Sequence, residues 1–169
     1  ECFQKIPCNP CYTACNRDAI LPFDDINDLP RIDFDRCNGC ALCVSRCPGL
    51  AIFVVDETFS GDEALVKMPY EFLPVPKEGQ EVTALDREGN DVGIARVVKV
   101  QKGKAMDKTL IVWLTVPKGL AMTVRNFRAA PRAVESLIEP NSPREPESLA
   151  ESRSPREPES LTELQPLTG

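Results

Sequence analysis

Eight cysteines and no histidine stand in this chain, and every cysteine falls within the first 47 of its 169 residues. Four of them form the run Cys37-Asn-Gly-Cys-Ala-Leu-Cys-Val-Ser-Arg-Cys-Pro, which is C-x2-C-x2-C-x3-C-P through Cys37, Cys40, Cys43 and Cys47. At that spacing three thiolates hold one 4Fe-4S cluster and the fourth reaches across to a second. The geometry demands a second set of four thiolates, and Cys2, Cys8, Cys11 and Cys15 supply it.

The upstream run departs from the pattern at its start. Counting back from Cys15, the gaps place Cys11 and Cys8 correctly, but the next position is Lys5, and Cys2 stands three residues earlier. Cys2 is read as a displaced first ligand on a longer loop shaped by Pro7, the alternative being a terminal thiol outside the site. Asn16 replaces the proline that follows the fourth cysteine, a residue that shapes the turn without being a ligand. Cross-ligation then gives cluster one on Cys37, Cys40, Cys43 and Cys15, and cluster two on Cys2, Cys8, Cys11 and Cys47.

Two other chemistries use paired cysteines. Four disulfides of a secreted domain have no reason to repeat C-x2-C-x2-C-x3-C-P. Structural zinc needs neither the third cysteine nor the following x3-C-P, and eight cysteines without histidine imply two all-sulfur sites. No catalytic residue is proposed. There is no histidine to serve as a base, no G-x-G-x-x-G and no G-x-x-x-x-G-K. Gly89-Asn-Asp-Val-Gly reads as a hairpin signal.

The elements that must position the thiolates are small. The residues between them, Tyr12, Ala14, Ala41, Leu42 and Val44, are small or apolar, as burial of an oxygen-sensitive core requires, and Gly39 lets the backbone approach the cluster. Asp18-Ala-Ile-Leu after one run and Gly49-Leu-Ala-Ile after the other mark a duplicated unit of loop and short helical turn. Leu21 to Arg36 reads as a surface loop with Ile32 to Phe34 as a short strand, and Leu50 to Asp56 reads as a strand closing the module. Downstream, strands are expected over Ala64 to Met68, Glu81 to Asp86, Asp91 to Gln101, Thr109 to Val116 and Leu120 to Arg125. Trp113 is read as their core anchor.

The fold class expected is α+β: a ferredoxin-like two-cluster module over 1–56, a small antiparallel β-barrel or docking module over 64–128, and a disordered Pro-rich tail over 140–169. In that tail Ser142-Pro-Arg-Glu-Pro-Glu-Ser-Leu-Ala-Glu recurs as Ser154-Pro-Arg-Glu-Pro-Glu-Ser-Leu-Thr-Glu. Its apolar content is too low to offset chain entropy. Either it is a tolerated tail, or it docks on a larger subunit through Leu149, Leu161, Leu164 and Leu167.

Charge is uneven. The net is −4 over residues 1–60, +1 over 61–139 and −3 over 140–169. Ligated thiolates add further negative charge, which excludes nucleic acid as an expected partner and favours a basic surface on a redox protein. The apolar runs are too short to span a bilayer and no leader pattern is visible, so a reduced cytoplasmic setting without a membrane partner is expected.

Residues 1–56 resemble bacterial two-cluster ferredoxins. The larger set is carried by Ile6-Pro-Cys-Asn-Pro-Cys-Tyr-Thr-Ala-Cys, Asp35-Arg-Cys-Asn-Gly-Cys-Ala-Leu-Cys and Cys47-Pro-Gly-Leu-Ala-Ile-Phe-Val-Val-Asp. Pro69-Tyr-Glu-Phe-Leu-Pro and Ala95-Arg-Val-Val-Lys-Val complete it. Together they are similar to the small iron-sulfur subunits of FAD-dependent amino-acid or amine dehydrogenases of the proline or D-amino-acid type, over about residues 1–128. The resemblance implies a non-catalytic electron-transfer subunit with two 4Fe-4S clusters, a FAD-containing oxidoreductase partner and a hetero-oligomer. A free soluble ferredoxin serving several redox enzymes is the alternative; it needs little beyond the cysteine segment.

Overall fold

A computed structural model describes residues 1–106 and 108–129. The tail expected over 140–169 lies outside the described residues.

The cysteine segment folds around two helical turns, α1 (Pro10–Ala14) and α2 (Leu42–Arg46). Pro10 opens α1, where its missing N–H costs nothing and its fixed φ suits the helix. Each turn ends at the fourth cysteine of its run, whose N–H bonds back three residues, Cys15 to Tyr12 O at 3.1 Å and Cys47 to Val44 O at 3.4 Å. Between the runs the chain makes one isolated bridge, Ile20 to Ile32, in place of the strand expected over Ile32 to Phe34.

Six antiparallel strands follow: β1 (Val54–Asp56), β2 (Glu63–Tyr70), β3 (Glu81–Leu85), β4 (Asp91–Gln101), β5 (Leu110–Pro117) and β6 (Asn126–Arg128). They form one sheet in the order β1-β2-β5-β4-β3-β6. Because β1 pairs with β2, the cysteine segment and the downstream segment share this sheet. The strand expected from Leu50 is shorter, since the backbone of Leu50 (φ 49°) and Ala51 turns toward Cys47. The strand expected over Leu120 to Arg125 is instead a pair of turns. The N–H groups of Thr123 and Val124 both bond Leu120 O at 2.9 Å, which takes them out of any ladder, and pairing resumes at Asn126.

Alternation along the strands separates two apolar clusters. Ala64, Val66, Met68 and Tyr70 of β2 and Val112, Leu114 and Val116 of β5 face the main core with residues of β3, β4 and β6. The sheet curls around that core. Tyr70 stacks on Phe127 with ring centroids 4.6 Å apart, although β5, β4 and β3 stand between their strands. At about 4.8 Å per strand a flat sheet would keep them about 19 Å apart.

The opposite face of β5 carries Ile111 and Trp113 against α2 and the residue before it, through Ala41, Leu42, Cys43 and Val44, with Met106, Ile52 and Val54 completing the cluster. Trp113 is therefore not an anchor of the main core. It lies on the outer face, where the cysteine segment packs, because its odd position in β5 puts it opposite Leu114. No helix among the described residues is long and apolar enough to cross a membrane.

Candidate metal centre

The two helical turns repeat at an offset of 32 residues, which carries α1 onto α2 and Cys15 onto Cys47, although the residue before each turn differs, Asn9 at φ −143° and Ala41 at φ 68°. The third residue past each fourth cysteine takes a positive φ, 51° at Asp18 and 49° at Leu50. That twist aims the next N–H at sulfur. Ala19 donates to Cys15 Sγ at 3.3 Å and Ala51 donates to Cys47 Sγ at 3.4 Å. Hydrogen bonds of this kind stabilise a thiolate and are among the levers that set a cluster's potential. At the same offset Lys5 falls on Cys37, so Cys2 has no counterpart in the repeat.

The sulfurs divide between two cavities. Cys37, Cys40, Cys43 and Cys15 line one of about 230 Å³, walled by apolar residues that include Ile20, Leu42, Ile52 and Val54. Cys2, Cys8 and Cys47 line another of about 470 Å³, with Phe3, Ile6, Leu50 and Phe53 on its walls. Each cavity thus draws its fourth-cysteine sulfur from the other run. Cys2 touches both cavities. Cys11 is buried and does not line the second cavity, but it stands near enough to Cys8 and Cys47 to sense their charge. Among the described residues no group of three or more Cys, Asp or Glu is gathered tightly enough to hold a single metal ion. Soft sulfur donors around an apolar space fit an iron-sulfur core, which needs thiolate ligands and shelter from water.

Titration of the thiols follows the same partition. Burial pushes Cys43 up to about 11, with Cys40, Cys37 and Cys15 adding repulsion in that order. Burial likewise raises Cys11, helped by Cys47 and then Cys8. Cys15 behaves differently. Burial opposes its ionisation, but the backbone N–H groups of Arg17, Ala19 and Ile20 outweigh it and hold the thiol below its usual range.

The sheet contributes groups that the cysteine spacing does not reveal. Lys67 Nζ on β2 donates to Gly39 O at 2.8 Å, inside the loop between Cys37 and Cys40. Burial lowers its pKa, against the opposing pull of Asp56, Cys40 and Cys37. The segment bearing Cys2 is held from the far side. The Glu1 carboxylate pairs with Arg87 and Arg125, and Arg87 also lies over the Phe3 ring at 5.6 Å. A lysine set within the apolar run Ala64 to Met68 is the one sequence signal that could have found Lys67. Nothing local marks Arg87 or Arg125.

Residues 30–53, which include all four cysteines of the downstream run, match the model of the 4Fe-4S binding domain family. A stretch of 52 residues is 40% identical to the pyruvate synthase subunit PorD of Methanocaldococcus jannaschii, covering 31% of this chain and 58% of that relative. The chain thus spans little more than half the length of the curated relative it matches. No solved structure matches. With cysteines placed around sheltered cavities, these matches show a 4Fe-4S binding segment over residues 30–53.

Proposed function

We propose that this chain is the electron-transfer subunit of a larger oxidoreductase and carries two 4Fe-4S clusters. One is held by Cys37, Cys40, Cys43 and Cys15, the other by Cys2, Cys8, Cys11 and Cys47. The observation that carries this reading is the exchange of the fourth cysteine between runs: Cys15 lines the cavity of Cys37, Cys40 and Cys43, and Cys47 lines that of Cys8. Such clusters take up and give back one electron at a time with little geometric change. The chain's own residues hold the sulfurs, aim the Ala19 and Ala51 N–H groups at two of them, and keep water from the apolar walls.

The partner in this reading is a FAD-containing dehydrogenase, which must pass on an electron pair singly while its two protons leave to solvent. The segment over residues 64–128, in this reading a small antiparallel barrel, is its docking module. A cytoplasmic site of action suits free thiols. The relative's role as a pyruvate synthase subunit favours a second oxidoreductase partner in the same place.

The test is anaerobic expression of the full chain followed by metal and sulfide analysis and electron paramagnetic resonance after dithionite reduction. About eight irons per chain are expected. Four irons would reduce the site to one cluster, and two zincs would overturn the redox reading altogether. Co-purification from the native host then separates the partners: a flavoprotein supports the FAD assignment, and a flavin-free complex or a lone chain removes it.

A further inference from the structure

The loop between Cys37 and Cys40 rests on the side chain of a lysine from the sheet. Lys67 Nζ donates to Gly39 O at 2.8 Å. Gly39 is itself fitted to this contact: at φ 63° a Cβ there would meet Val54 Cγ1 at 3.2 Å and Lys67 Nζ at 3.9 Å.

Three strands fix the lysine in place. The ladder pairs Lys67 with Val54 of β1 on one side and with Trp113 of β5 on the other, and Trp113 pairs in turn with Lys99 of β4. The Lys67 ammonium lies 4.0 Å from the centre of the Trp113 ring, and Lys99 covers the ring at 5.1 Å. The ring is pinned by its Nε1–H, which donates to Gln101 Oε1 at 2.9 Å. A lysine that only tied down a loop would not need an aromatic platform and a second cation beside it. The opposing charge that acts on it most is Asp56, whose Oδ1 already accepts from the Thr58 N–H at 2.9 Å and its hydroxyl at 2.6 Å.

We propose that Lys67 is a positioning residue whose fixed positive charge, held under the Cys37–Cys40 loop by Gly39 and Trp113, raises the reduction potential of the cluster on Cys37, Cys40, Cys43 and Cys15. The proposal rests on the two-cluster reading above and deepens it. Reduction adds one electron to a site that four thiolates already make negative; no bond forms or breaks and no proton moves. A nearby cation stabilises the reduced state more than the oxidised one, and a half-buried charge is screened little by salt. Arg87 and Arg125 at the wall of the second cavity share the Glu1 carboxylate instead of bonding a cysteine loop.

The test is a redox titration of the loaded full chain, read by electron paramagnetic resonance, for wild type, Lys67→Gln, Lys67→Met and Lys67→Arg. Glutamine keeps a donor for Gly39 O but loses the charge. In Lys67→Gln and Lys67→Met one cluster should shift about tenfold toward its oxidised form, about 59 mV for a one-electron couple. The other cluster should not move, and Lys67→Arg should titrate as wild type. A glutamine variant with unchanged potentials overturns the proposal, and so do equal shifts in both clusters. Loss of one cluster in Lys67→Gln overturns it too, because the lysine would then serve assembly. Wild-type chain with fewer than about eight irons sinks the two-cluster reading instead, so the two failures are distinguishable.

Discussion

Cys15 raises the pKa of Cys43 although the two belong to different cysteine runs, while Cys47, which closes the run of Cys43, acts on Cys11 instead. Exchange of the fourth sulfur between runs makes a prediction that needs no assignment of signals. If Cys15 and Cys43 serve one cluster, the double variant Cys15→Ser/Cys43→Ser should lose no more iron than either single variant and keep about half. Cys15→Ser/Cys11→Ser should lose nearly all. Ligation within each run would give the reverse, and iron analysis of the four purified proteins decides.

In the metal-free chain the thiols should differ in reactivity, because the thiolate is the nucleophile. With Cys43 at about 11, only roughly one molecule in a thousand carries that thiolate at pH 8. Cys15 is held on the low side by its backbone donors. Iodoacetamide labelling followed by peptide mapping should therefore modify Cys15 well before Cys43, with Cys43 catching up as pH approaches 11. The sign for stability follows from the same shift. Between the ordinary thiol value of 9.0 and about 11, the folded metal-free chain keeps a proton that the unfolded chain has lost. Its stability should be intact below that window and decline across it. Equal labelling of the two thiols at pH 8 would contradict the burial argument.

The cysteine spacing made the grouping of the cysteines legible, because x2 and x3 gaps place them on one turn and its approach. Four of the sheet's strands were legible too, since β2, β3, β4 and β5 each show period-two alternation or end at glycine turns. What was not legible is non-local. The alternation of β5 says that Leu114 and Trp113 face opposite ways but not which face is the core. Leu120 to Arg125 has strand composition, yet two N–H groups converge on one carbonyl and close a turn. The arginines that hold Glu1, and the lysine beneath Gly39, lie far along the chain from the cysteines they serve.

Gly39→Ala should destabilise the chain. The φ of 63° is a left-handed conformation that costs a residue with a Cβ about 1–2 kcal/mol, and the added carbon would also crowd Val54 Cγ1 at 3.2 Å. The melting temperature should fall by several degrees. Gly61→Ala is the control, since nothing lies within 4 Å of its added carbon and its φ is unexceptional. A Gly39 variant that melts with the control would mean that the loop can relax without loss.

The stacking of Tyr70 on Phe127 at 4.6 Å is the contact that most directly reports the curl of the sheet, because it joins strands that share no hydrogen bonds. Phe127 is 4% exposed, and truncating a buried phenylalanine to alanine costs about 3–5 kcal/mol through lost transfer energy and the cavity left behind. That cost alone would not prove the curl, since burial against any surface gives it. The coupling does. In a denaturation cycle over wild type, Tyr70→Leu, Phe127→Leu and the double variant, the rings should couple by about 0.5–1.5 kcal/mol. In a flat sheet they would be too far apart to interact and the two single effects would simply add.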